Sequence, residues 1–205
     1  SVRSLELILE VLAQHGIDTP DVVIAAVGSE IYYGKECLPD KGWASQLRSK
    51  WQPEQIRHAL GALPFLQLQT EPTAQRPFKI SYDLRPNVPL EEALPQIRQT
   101  LAEAQIVSYS LITSHEKFID LLPARASKGK AVRYLAEKWQ IPLSQIVTAG
   151  DSGNDRDMLT GQTAGIVVGN HAAELKSLAR SKAHRAYFAQ APYAGGIIEG
   201  LEHYG

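Results

Sequence analysis

The stretch TAGDSGNDRDML, Thr148 to Leu159, decides how this sequence is read. Three carboxylates, Asp151, Asp155 and Asp157, stand close together among Gly150, Ser152, Gly153 and Asn154. The run Ile146 to Ala149 before them is expected to form a short buried strand, which puts Gly150 and Asp151 at its carboxyl end. Open parallel sheets bind ligands at that end. Asp155 to Leu159 is expected to begin a helix that holds Met158 and Leu159, and a helix N-terminus favours an anion. Acids crowded into an anion-binding loop conflict with that field unless a divalent cation intervenes. Oxygen ligands hold Mg²⁺, and Mg²⁺ in turn binds phosphate. Helix capping accounts for one Asp, Ser or Asn; it does not account for Asp151, Ser152, Asn154 and Asp155 together.

Working outward, Ala126-Ser127-Lys128-Gly129-Lys130 opens a predicted helix from Lys128 to Trp139. A cation at a helix N-terminus opposes the dipole and calls for an anionic partner, a phosphate or a carboxylate. Periodicity does not choose between Lys128 and Lys130. Beyond the acidic stretch come a predicted strand (Ala164 to Val168), a helix (Ala173 to Ala179), a strand (His184 to Phe188) and a closing helix (Ile197 to Tyr204). This alternation predicts a parallel sheet with helices on both faces. Near the start, Leu5, Ile8, Leu9 and Leu12 keep helical spacing after Ser4, a candidate N-cap. Val22 to Val27 is a predicted buried strand, and Ile31 to Gly34 a short strand and turn.

The middle of the sequence has another style. A helix from Pro53 to Leu63 is followed by alternating strands at Phe65 to Gln69 and Phe78 to Asp83. A helix from Pro89 to Ala104 is followed by strands at Ile106 to Thr113 and Phe118 to Leu122. That order predicts an antiparallel sheet with helices on one face. The expected fold is therefore α/β, a Rossmann-like parallel-sheet core of residues 1–40 and 122–205, with an inserted α+β cap domain at 41–121.

Bulk properties narrow the function classes. Net charge is −1, from 21 basic and 22 acidic side chains over 205 residues, so no basic field holds nucleic acid or anionic lipid. No stretch is long and apolar enough to span a bilayer, and no signal peptide is recognised. The single cysteine, Cys37, has no internal partner, which suits a reducing, cytoplasmic setting. The six histidines show no metal-ligand spacing, so zinc is not expected. Gly161-x-x-x-Gly165 lacks the Lys-Ser/Thr of a phosphate-binding loop. His115, Lys79, Tyr82, Arg85, Trp43 and Trp51 could reach a sugar, but turn, exposed-sheet and packing roles are the preferred reading of them.

Gly150-Asp151-Ser152-Gly153-Asn154-Asp155, preceded by Ser127-Lys128-Gly129, resembles the last two motifs of the haloacid dehalogenase superfamily of phosphatases. Val27 to Tyr33, Ala124 to Gly129 and Tyr193 to Gly200 are similar to the sucrose-phosphate phosphatase family. They look closest to the phosphatase-like domain at the C-terminal end of bacterial sucrose-phosphate synthase. The resemblance implies that Asp151 ligates Mg²⁺ and that Asp155 ligates it or holds a ligand water, with Lys128 and Asp155 as catalytic residues. Lys128 would neutralise the phosphoryl oxygens and the nucleophile. Ser1 would hydrogen-bond the phosphoryl group, although Ser1-Val2-Arg3-Ser4 departs from the family's Thr-Gly-Arg-Ser. Ser152 and Asn154 would shape the loop and touch substrate.

The superfamily's reaction starts from an Asp-x-Asp-x-Thr strand whose first Asp attacks phosphorus. No such motif stands in these residues; Asp155-Arg156-Asp157 has the Asp-x-Asp spacing but belongs to the loop. The opening on Ser1-Val2-Arg3 is what a fragment, with a core strand lost, would show. The leading expectation is a Mg²⁺-dependent phosphomonoesterase domain acting on a sugar phosphate, sucrose 6-phosphate. The alternative is a non-catalytic domain joined to a glycosyltransferase, sucrose-phosphate synthase, that binds product or regulates it. A doubly wound binding domain with no phosphate role is the third.

Overall fold

The computed structural model describes residues 1–71, 73–180 and 186–205. They form two compact units, Ser1–Ser127 and Lys128–Gly205.

In the first unit, Ser4 begins helix α1 (Leu5–Gln14), its hydroxyl accepting the Leu7 N–H at 3.5 Å, as an N-cap should. Strand β1 (Val22–Ala25) pairs antiparallel with β2 (Glu30–Tyr33), and β2 with β3 (Leu38–Pro39). β1 stops short of the predicted Val27 because Ala26 and Val27 take φ of +47° and +59°. That backbone cannot continue a pleat; it turns the chain back into β2. Helix α2 (Lys41–Arg48) was not anticipated. Asp40 caps it, accepting the Trp43 N–H at 2.8 Å, and only Trp43 and Leu47, one turn apart, are buried. Two apolar positions in eight residues are too few for periodicity to register.

Helices α3 (Pro53–Leu60) and α4 (Leu90–Glu103) pack together over a four-stranded antiparallel sheet. Its order is β4 (Leu66–Leu68), β5 (Ile80–Leu84), β7 (Phe118–Pro123), β6 (Tyr109–Ser114). Ile80, Tyr82 and Leu84 alternate along β5, with Ile119 and Leu121 on β7. They meet Ile56 and Leu60 of α3 and Ala93, Ile97 and Leu101 of α4. This is the predicted antiparallel layer. β6 begins three residues late because Ile106 closes α4 instead: its N–H reaches back to the Leu101 carbonyl at 2.8 Å, with Gln105 at positive φ.

In the second unit, helix α5 (Lys128–Lys138) is followed by β8 (Val147–Gly150), β9 (Ala164–Val167), β10 (Ala186–Phe188) and helix α6 (Tyr193–Tyr204). The strands form the expected parallel sheet in the order β10-β9-β8, with Ala149 opposite Ile166 and Gly150 opposite Val167. Leu159, Val167, Leu175 and Leu178 make a core here, with Met158, Ala186 and Phe188 against it. Three expectations change. Met158 and Leu159 lie in turns after a single 3₁₀ turn, Gly153–Asp155, rather than in a helix. The hydroxyls of Thr148 and Thr163 both donate to the Met158 carbonyl, at 2.8 and 3.0 Å, which takes the acceptor that helix continuation needs. Ala173–Arg180 is 3₁₀ rather than α-helical. α6 starts four residues early because Asn170 accepts the Tyr193 N–H at 2.7 Å. His184, the predicted start of the last strand, lies outside the described residues.

Candidate active site

β8 ends at Gly150, and the chain turns at once through Asp151 and Ser152 into the 3₁₀ turn Gly153–Asp155. Glycine is required at 150: a Cβ there would lie 2.4 Å from Cβ of Asp155. The turn therefore folds back directly onto the strand end. Asp155 is 3% exposed, and Oδ2 accepts the N–H groups of Asp151 at 3.0 Å and Ser152 at 3.2 Å. Asn154 donates to the Ser152 hydroxyl at 2.7 Å. Glu174 accepts the Gly153 N–H at 3.1 Å, and the Asp151 carbonyl accepts the Ala172 N–H at 2.7 Å. The loop is thus built around buried side chains, while Asp151 itself is exposed at the carboxyl end of β8.

α5 brings the cation. Lys128 is its first residue and is buried; Lys130 is half-buried. Lys128 Nζ donates to Asp155 Oδ1 at 2.5 Å and to the Asn154 side-chain carbonyl. The choice that periodicity left open falls on Lys128 for contact with the loop. Gly129 lets the helix come this close, since a Cβ there would lie 2.4 Å from the Asp157 carbonyl oxygen. Burial alone would raise the Asp155 pKa. The Lys128 charge and hydrogen bond, with the two backbone N–H groups, outweigh it and hold the carboxyl below its ordinary value.

Lys128, Asp151, Ser152, Asn154 and Asp155 are therefore brought together within the second unit. Ser1 belongs to the first unit, where its backbone nitrogen donates to the Ile24 carbonyl at 2.9 Å and its hydroxyl accepts the Arg3 N–H at 3.1 Å. Two members of the site were missed in the sequence. Arg133 grips Asp157 with two bonds of 2.8 and 2.9 Å. Its position one turn beyond Gly129 was the available signal. Glu174 gave none, lying on a separate 3₁₀ segment. A cavity of about 270 Å³ opens beside Asp151, lined by Gly150, Val168, Asn170 and Tyr193 among others.

Among the described residues, no three His, Cys, Asp or Glu side chains gather to hold a metal. A Mg²⁺ that keeps waters and uses one or two carboxylates plus a ligand phosphate is compatible with that. Asp151, exposed and clear of the Lys128 pair, suits that role. Asp155 is already engaged through both oxygens. No helix among the described residues is long and apolar enough to cross a membrane.

The family described as sucrose-6F-phosphate phosphohydrolase matches residues 1–205. The chain belongs to that family. It is a branch of the haloacid dehalogenase superfamily, whose fold the chain shares. A solved sucrose-phosphatase from Synechocystis sp. PCC6803, in complex with sucrose and phosphate, superposes with a TM-score of 0.91 at 34% identity. That likeness covers 99% of this chain and 82% of the other. A mannosylfructose-phosphate phosphatase of Agrobacterium fabrum is 31% identical over 206 residues, covering 100% of this chain and 81% of the relative. Probable sucrose-phosphatase 2 of Arabidopsis thaliana is 31% identical over 210 residues, 98% of this chain. The chain spans about half of that plant relative, 49%.

Proposed function

We propose that the protein is a Mg²⁺-dependent sugar-phosphate phosphomonoesterase that hydrolyses sucrose 6-phosphate to sucrose and phosphate. The observation that carries this reading is the buried Lys128–Asp155 pair set beside the exposed Asp151 at the end of a parallel strand. Family membership and the likeness to a phosphatase solved with sucrose and phosphate support the substrate class.

In this reading Asp151 holds Mg²⁺, which when bound supplies charge to the phosphoryl oxygens. Lys128 places its ammonium on the same oxygens, where charge gathers during phosphoryl transfer. Asp155 keeps that ammonium charged and aimed, and through Oδ2 keeps the loop in shape. Ser152 and Asn154 hold Asp155's surroundings dry and polar, and Ser1 contacts the phosphoryl group. Residues 41–121 serve as a cap over a core of 1–40 and 122–205, a division by role rather than by compactness. The setting is cytoplasmic, in keeping with a lone cysteine, Cys37.

The test is phosphate release from sucrose 6-phosphate by the protein as its gene encodes it, with Mg²⁺ and with chelator. Mg²⁺-dependent release is expected. Binding of sucrose 6-phosphate without release would point instead to a domain that holds product for a glycosyltransferase. Neither binding nor release would overturn both.

A further inference from the structure

We propose that Arg133 and Asp157 form a positioning pair that holds Lys128 against the acidic loop. Gly129 and Arg133 are one turn apart on α5 and so share a face. Both meet one residue. The Gly129 backbone lies against the Asp157 carbonyl with no room for a Cβ. Arg133 Nη2 donates to both carboxylate oxygens of Asp157, at 2.8 and 2.9 Å, and Nη1 to its main-chain carbonyl at 3.3 Å. A planar guanidinium closing on a carboxylate and on the backbone behind it fixes direction as well as distance.

Asp157 is two residues beyond Asp155, and Lys128 is the residue before Gly129. A helix docked through Gly129 and Arg133 therefore has its first residue delivered to Asp155 and Asn154. The Lys128 side chain is long and has four rotatable bonds, and its own two contacts do not fix where α5 begins. Arg133 and Asp157 are half-buried and are not among the residues assigned to phosphate or metal. They act through the helix. The catalytic consequence rests on the phosphatase reading; the positioning itself does not.

Lysine footprinting of the purified protein without ligand separates the two. An amine-acylating reagent read by mass spectrometry reports Lys128 directly, and Lys79, buried in the first unit at 5% exposure, serves as internal control. Arg133→Gln and Asp157→Asn are each expected to raise Lys128 labelling about fivefold, the scale of a partly exposed ion pair, with Lys79 unchanged. The double variant should label no faster than either single one, and Arg133→Lys should restore part of the protection. Lys128 remaining as protected as in the parent protein overturns the proposal. So does Lys79 labelling that rises in step with Lys128, because that is general loosening rather than positioning. No substrate enters this measurement, so its failure leaves the phosphatase reading standing, and absence of phosphate release leaves the footprint interpretable.

Discussion

Two buried lysines, one in each unit, invite comparison. Lys79, beside the antiparallel sheet, donates to Ser81 at 2.7 Å and lies 3.7 Å from Asp120, to which Ser81 is itself bonded at 2.6 Å. Lys128 lies 2.5 Å from Asp155 and also reaches Asn154. Both are more than nine-tenths buried. The surroundings differ. Lys79, Ser81 and Asp120 come from strand residues and the turn before them, and satisfy one another across the β5–β7 ladder. Lys128 stands at a helix start, against a loop whose backbone N–H groups converge on Asp155 and whose next carboxylate, Asp151, faces outward. A buried ion pair alone marks a place where polar groups had to be matched. An unburied carboxylate beside it, at a strand's carboxyl end, is what the proposed chemistry rests on.

The comparison can be broken in several places. Asp151→Asn should abolish Mg²⁺-dependent phosphate release; survival of most of the rate would remove the metal from this loop. Lys128→Ala should cut turnover by roughly a hundredfold, as loss of one charge stabiliser does, and a near-native rate would make Lys128 merely the counterpart of Lys79. Lys79→Met should register as lost stability of about 3 kcal/mol, because Asp120 loses a buried counter-ion. Denaturant unfolding measures this, and adding Asp120→Leu should recover much of it. Gly129→Ala should destabilise by about 1–3 kcal/mol through overpacking against Asp157, again by denaturant unfolding.

The smallest effect is in pH dependence, and Asp155 and Tyr82 carry opposite signs. The Asp155 carboxyl is held below its ordinary 3.8, so its contribution is complete above that value and is lost as pH falls through the depressed one. Tyr82 is pushed up to about 12 by burial, with Arg57 opposing, so its contribution is complete below 10.0 and is lost as pH rises through about 12. Hydrogen exchange followed by peptide should show the loop of residues 150–155 loosening in acid and the β5 peptide loosening in alkali.

Much of this was legible in the residues. The parallel and antiparallel sheets followed from where alternation gave way to continuous apolar runs. The loop followed from Asp151, Ser152, Asn154 and Asp155 crowding after a strand. What escaped was set by contacts distant in sequence. Met158 left its expected helix because Thr148 and Thr163 both bind its carbonyl. β1 ended early because of two left-handed residues that carry no glycine to announce them. Lys128 could be preferred over Lys130 only once α5 was seen against the loop. The Arg133–Asp157 grip joins residues 24 apart; the spacing from Gly129 marks the helix face of Arg133 but not its partner.

The engagement of Asp155 from three directions has a consequence for release. The ammonium of Lys128 is matched by a counter-ion without any ligand, so on the proposed reading a phosphate would obtain it by sharing, not by meeting a bare positive charge. The gain is the difference between two partnerships. On that reading, attraction would be shallow for an anion at rest and deepen as negative charge accumulates beyond what the resident carboxylate offers, which would let a spent anion depart.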